Sequence, residues 1–181
     1  MCFIYIMNST LDFSKKDIKG IGIFPGSFNP LHDGHLRMRQ IAEKILKYPI
    51  VFEMSVRNAD KGQLDAIDVE RRLESLNGYP CILTNAPTFV DKVKLFKKAF
   101  PDKPIVFIVG SDTWTRIWDP KYAGNVNEVY RFMKQNGVKF LVFNRSGSDE
   151  GIIHPVFGAL RIFHDDATYF NNPISSTQLR K

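Results

Sequence analysis

Short apolar runs alternating with segments of helical periodicity constrain this chain more than any other feature. Residues 21–24 (IGIF) stop at Pro25-Gly26, as a buried strand does. Met38, Ile41, Ala42 and Ile45 then trace a helical stripe that Pro49 helps to end. A second strand is expected over 50–56 (IVFEMSV), followed by a helix carrying Val69, Leu73 and Leu76, capped by Asp68 and stopped at Asn77-Gly78. The pattern continues through 81–84 (CILT), a helix over 89–100, 105–109 (IVFIV), a helix marked by Val126, Val129, Tyr130 and Met133, and 139–143 (KFLVF). A shorter run, 160–163 (LRIF), precedes the tail. Continuously apolar strands alternating with helices predict an α/β fold, a Rossmann-like doubly wound parallel sheet with helices on both faces. Ligands on such sheets bind beyond the carboxyl ends of the strands, so the residues after each strand carry the functional signal.

Length and composition narrow the class. The 181 residues amount to about one average domain, and no linker or repeat interrupts them, so a single domain over 1–181 is expected. Hydrophobic residues make up 44% and charged residues 24%, which excludes a disordered chain. No stretch approaches the roughly 18 apolar residues of a membrane span. The opening MCFIYIM lacks a basic flank and a cleavage site, so it reads as an extra strand or an early start, not a signal peptide. Cys2 and Cys81 form neither a disulfide framework nor a metal spacing, which fits a reducing, cytoplasmic setting.

The net charge is +6, with lysines concentrated at Lys92, Lys94, Lys97, Lys98 and Lys103. Such a run can touch nucleic acid. Phe89, Val93, Phe96 and Phe100 recur through it at helical spacing, however, which leaves those lysines mainly on the solvated face. Neither a nucleic acid nor a membrane is the expected partner.

Two clusters carry chemistry. After the first strand comes Gly26-Ser27-Phe28-Asn29-Pro30-Leu31-His32-Asp33-Gly34-His35, then a helix. Gly26 permits close backbone approach to a ligand, and amides around it can face phosphate oxygens. His32 and His35, three apart, can lie together at a helix opening, where the dipole favours anions. Two imidazole donors there can grip a phosphate and stabilise its transition state. A bare H-x-x-H is as well explained by surface or metal-binding histidines; the whole glycine-to-histidine string is not. The second cluster is Ile174-Ser175-Ser176-Thr177-Gln178-Leu179-Arg180. Taken alone, its hydroxyls are simply good helix caps. Taken with the first cluster, they form a second anion site, as a triphosphate requires.

PGSFNPLHDGH and ISSTQLR resemble the two signature motifs of the HxGH nucleotidylyltransferase superfamily, bracketing residues 21–180. The resemblance implies that His32 and His35 contact ATP phosphates at the reacting centre, while Ser175, Ser176, Thr177 and Arg180 hold the distal ones. Intervening segments resemble the nicotinamide or nicotinate mononucleotide adenylyltransferase branch, and 83–96 its microbial cytidylyltransferase-like subgroup. RNADKG places Asn58 and Lys61 after the second strand, where the family carries a phosphate-binding lysine; Arg71 or Arg72 matches a following arginine. In FIVGSDTWTRIW, Gly110 and Asp112 are expected to meet adenosine. Trp114 or Trp118 is suited to stack on a pyridine ring, with core packing as the equal alternative. Arg145 belongs to a strand-end arginine loop on the acceptor side. Most family members continue as a longer helix beyond the second motif, whereas this chain ends at Lys181, so packing or a subunit neighbour is expected to support it, and a homo-oligomer is compatible with that.

The resemblance implies an adenylyltransferase joining ATP to a mononucleotide, nicotinamide mononucleotide first and nicotinate mononucleotide second, with release of pyrophosphate. The catalytic set is His32, His35, Lys61 and Arg180; Gly26, Ser27 and Phe28 join the ATP site; Asn58, Trp118 and Arg145 form the acceptor site. Mg²⁺ is expected to travel with ATP, because no acidic cluster forms a dedicated cage. Phosphopantetheine adenylyltransferase is the runner-up. Cytidylyltransferases usually carry an RTxG-like stretch before the second motif, which 169–173 lacks, and a KMSKS-like segment typical of aminoacyl-tRNA synthetases is missing. A protein that binds ATP without turnover is the alternative of another class.

Overall fold

The structure, a computed structural model, describes residues 4–7, 18–58 and 62–143. Its sheet is built from β1 (Ile4–Met7), β2 (Ile21–Pro25), β3 (Ile50–Ser55), β6 (Cys81–Thr84), β7 (Ile105–Gly110) and β8 (Lys139–Phe143). A two-stranded hairpin, β4 (Arg57–Asn58) with β5 (Gly62–Gln63), interrupts the series after β3. The helices are α1 (Asp33–Leu46), α2 (Ala66–Ser75), α3 (Phe89–Ala99), α4 (Ser111–Ile117), α5 (Pro120–Ala123) and α6 (Val126–Gln135).

The strand order is β1-β6-β3-β2-β7-β8. From β2 the chain steps outward through β3 and β6, then returns across β2 to β7 and β8. Parallel crossovers are right-handed in about 98% of cases. Opposite directions of travel therefore put α1 and α2 on one face and α3, α4 and α6 on the other, and the core divides accordingly. One cluster packs α1 and α2 onto Phe24, Phe52 and Met54; the other packs α3, α4 and α6 onto Ile23, Val51 and Phe107. The order reverses between β2 and β7, which opens a crevice beyond their carboxyl ends. The expected parallel sheet holds for five strands; β1 is antiparallel to β6, with Met7 opposite Cys81.

Local chemistry sets the helix bounds. Asp65, not Asp68, caps α2 by accepting the amide of Asp68, while Asp68 pairs with Arg71. Thr88 caps α3 through the amide of Asp91, and Asn125 caps α6. The lysine run needs one correction. Lys94 and Lys98 are exposed as expected, but Lys92 is buried against Glu53. It stands between Phe89 and Phe96 at helical spacing, on the same stripe as Val93. The run 160–163 lies outside the described residues.

Candidate active site

The first motif forms the connection from β2 to α1, at the point where the strand order reverses. Pro25 ends β2 opposite Glu53 of β3, and the amide of Gly26 donates to the carbonyl of Glu53 at 2.9 Å. Phe28 then turns back with φ 41°, a left-handed conformation rare outside glycine. Its ring is fully buried, 4.7 Å from the ring of Phe52 and edge-on to His35. A Cβ on Gly26 would lie 2.6 Å from that ring, so the aromatic plug itself demands glycine there. The expectation that Phe28 binds ATP is corrected for its side chain, which anchors the loop in the core and faces no solvent. Ser27, beside it, is exposed.

His32 is the N-cap residue of α1, in extended backbone conformation, and its carbonyl accepts the amide of His35 at 2.9 Å. The two imidazoles stack with centroids 3.7 Å apart and planes inclined by 30°. Both rings thus stand at the opening of a 14-residue helix, whose N-terminus carries about half a positive charge. An anion engaging one ring lies within reach of the other.

Helix α2 holds this loop from the side. Ser75 Oγ shares its proton between the carbonyls of Phe28 at 3.0 Å and Arg72 at 2.7 Å, and accepts the amide of Leu31 at 3.4 Å. Arg72 donates to the carbonyl of Ser27 at 3.2 Å. The ambiguity between the two arginines is thereby resolved in placement: Arg72 reaches the motif loop, whereas Arg71 lies 61% exposed and pairs with Asp68. Ser75 escaped sequence reasoning, because nothing local to it distinguishes it from a helix-terminal serine.

On the other side of the crevice, Gly110 ends β7 and precedes α4. A Cβ there would meet Asp112 Oδ1 at 2.6 Å, so the glycine lets that carboxylate fold back over the strand end. Asp112 is exposed, as a ligand-facing group must be. The tryptophans are placed otherwise than the stacking role requires. Trp114 is 6% and Trp118 8% exposed, edge-on to each other at 5.2 Å, and Trp114 packs on Phe140. Four residues apart, they share one side of the segment and enter the core. The expectation of Trp118 as an open stacking platform is corrected to core packing. Asn58 lies in β4, opposite Gly62. Lys61, Arg145, Ser175, Ser176, Thr177 and Arg180 lie outside the described residues.

The described residues contain no group of three or more His, Cys, Asp or Glu arranged to hold a metal ion. Among them, no helix is long and apolar enough to cross a membrane. Cys81, the first residue of β6, is buried against α1 and α2, and its thiol is pushed up from 9.0 to about 12, chiefly by burial and then by the nearby Glu53.

Residues 23–181 match the cytidylyltransferase-like family model. The chain belongs to this family and is a nucleotidyltransferase. It is 28% identical over 146 residues to the Clostridium perfringens protein named "Probable nicotinate-nucleotide adenylyltransferase", covering 74% of this chain and 68% of that one. A Chlorobaculum tepidum protein of the same name is 23% identical over 174 residues, covering 88% and 84%. Among solved structures, Plasmodium falciparum nicotinic acid mononucleotide adenylyltransferase complexed with NaAD aligns with a TM-score of 0.62. That alignment covers 90% of this chain and 82% of the other at 18% identity, which establishes the Rossmann-like nucleotidyltransferase fold.

Proposed function

We propose that this nucleotidyltransferase transfers the AMP moiety of ATP to nicotinate mononucleotide, releasing pyrophosphate. The stacked pair His32 and His35, held at a helix opening beyond the switch-point strand, carries the reading. The choice of the acid over nicotinamide mononucleotide rests on the names borne by the relatives.

The acceptor phosphate is already ionised near neutral pH, so no strong general base is needed. Its oxygen attacks the α-phosphorus in line, a new P–O bond forms, and the bond to the pyrophosphate oxygen breaks. Catalysis then consists of positioning and charge stabilisation. His32 and His35 donate to the oxygens that gain charge on the α-phosphate. Lys61, Arg180 and the hydroxyls of Ser175, Ser176 and Thr177 stabilise the departing pyrophosphate. Gly110 and Asp112 take the adenosine side, and Asn58 and Arg145 serve the acceptor. ATP enters as its Mg²⁺ complex, the metal held by phosphate oxygens and water.

A panel of nicotinate mononucleotide, nicotinamide mononucleotide and phosphopantetheine, each with ATP and Mg²⁺, tests the proposal by pyrophosphate release. The highest kcat/KM is expected with nicotinate mononucleotide. Turnover with phosphopantetheine alone, or ATP binding without any turnover, overturns the reading.

A further inference from the structure

A buried charge demands a reason. Glu53 has no exposed surface and Lys92 is 5% exposed, yet both occupy positions whose neighbours are apolar. Glu53 follows Val51 onto the α3 face of the sheet, and its Oε1 accepts Lys92 Nζ at 2.7 Å. The same oxygen accepts Thr84 Oγ1 at 2.6 Å. Lys92 Nζ also donates to the carbonyl of Ala86 at 2.8 Å, and the Ala86 amide donates to Thr84 Oγ1 at 3.3 Å. The charge pair therefore ends on the main chain of 84–88, the connection from β6 to α3.

Stability alone does not account for it. A buried ion pair replaced by apolar side chains of similar volume is often neutral or better for stability. What the pair does supply is a fixed geometry at one place. Glu53 holds the two strand-end loops at once: its carbonyl accepts the Gly26 amide of the histidine loop, and its side chain ties down the loop after β6. β6 stands two strands from β2, on the side away from β7. At about 4.8 Å per strand, the two loops lie on the order of 10 Å apart along the rim of the sheet.

We infer that Glu53 and Lys92 are positioning residues that set the acceptor side of the site through the loop at 85–88, a reading that rests on adenylyl transfer as proposed above. The connection past β6 stands beside the end of β3, which leads to Asn58, on the side of the histidines away from the Gly110 strand end, so its placement bears on the acceptor and not on the adenosine side. Neither side chain touches the reacting atoms.

The test pairs Glu53→Gln with Lys92→Met in one protein, which removes both charges and leaves neither one buried alone. The double variant is expected to melt close to the parent and to raise the KM for nicotinate mononucleotide by roughly tenfold or more. Its KM for ATP should stay within about twofold. Amide exchange should accelerate at Ala86 and Thr88 and stay unchanged at 26–36. Thr84→Val, a smaller change to the same network, is expected to act in the same direction and keeps the test available if the double variant fails to fold. An unchanged acceptor KM, or equal rises for ATP and acceptor, overturns the inference. Hydrogen exchange needs no turnover, so it separates a failure of this inference from a failure of the adenylyl-transfer reading: unaltered exchange at Ala86 and Thr88 sinks the former whatever the enzyme's substrate proves to be.

Discussion

The two faces of the sheet fix their strand-end loops by opposite means. On the α1 and α2 face, the loop after β2 is pinned by an apolar plug, Phe28, with hydrogen bonds from Ser75 and Arg72 around it. On the α3 face, the loop after β6 is tied by the Glu53–Lys92 pair beneath it. A plug acts through volume and resists changes of charge state. An ion pair acts through direction: Lys92 Nζ is aimed at both Glu53 Oε1 and the carbonyl of Ala86. The first device suits a loop whose side chains must converge on one phosphorus; the second suits a loop whose main chain must present a shaped edge.

Removing the plug should have the largest effect. Phe28→Ala is expected to cost about 3–5 kcal/mol of stability in a urea melt, as truncation of a buried aromatic does. It should lower kcat as well, because Gly26 and His35 both lean on that ring. A large stability loss with kcat intact in the folded fraction would separate the plug from the histidines.

His35→Ala sharpens the same side of the comparison. Charge on the α-phosphate grows as the nucleophile adds, so a donor aimed there acts on the transition state more than on bound ATP. Its loss is expected to cost on the order of 3 kcal/mol, or roughly a hundredfold in kcat, with ATP affinity and Tm nearly unchanged. Near-normal kcat in folded protein would reduce His35 to a packing residue.

Ser75→Ala leaves the carbonyl of Phe28 and the amide of Leu31 without their shared partner. A part-buried hydrogen bond of this kind contributes about 1 kcal/mol, so the melt should shift modestly and kcat should fall only severalfold. A kcat as low as that of His35→Ala would mean that the loop depends on α2 more than on its plug.

Alkaline pH gives the smallest effect and probes the thiol packed on the same face as the plug. The folded Cys81 thiol titrates near 12 and the unfolded one near 9.0, so the folded state binds more protons between these values. Stability from this group is complete below pH 9.0 and is lost as pH rises towards 12, at on the order of 1 kcal/mol per pH unit. Cys81→Ala should flatten that slope in melts between pH 9 and 10. An unchanged slope would show that another group governs alkaline unfolding.

Much of this architecture was legible because period and punctuation report it directly. The five parallel strands and the helices over α1, α3 and α6 follow from apolar runs, stripes and stop signals. The histidine loop was legible because its residues are contiguous. The charge pair was missed although its signal was present: Glu53 interrupts an apolar strand, and Lys92 sits three residues after Phe89 and four before Phe96. Two opposite charges at core positions call for each other, but nothing local says that they meet. Trp118 was misplaced for the converse reason, since its spacing from Trp114 already indicated one shared packed side. Ser75 and Arg72 were not legible as loop anchors, because their partners lie more than forty residues away.

The antiparallel edge has a consequence for the order in which the sheet is completed. Met7 pairs with Cys81, so β1 waits for a partner made more than seventy residues later. Closing so long a loop costs conformational entropy that no nearby contact offsets. β7 closes a loop as long, Ile21 opposite Ile105, but it gains β8 on its other side, whereas β1 has β6 alone. An antiparallel edge strand held from one side only is readily lost, and its departure would bare the rim of β6 to any passing strand. Proteolysis or self-association that begins in this molecule should begin at that seam.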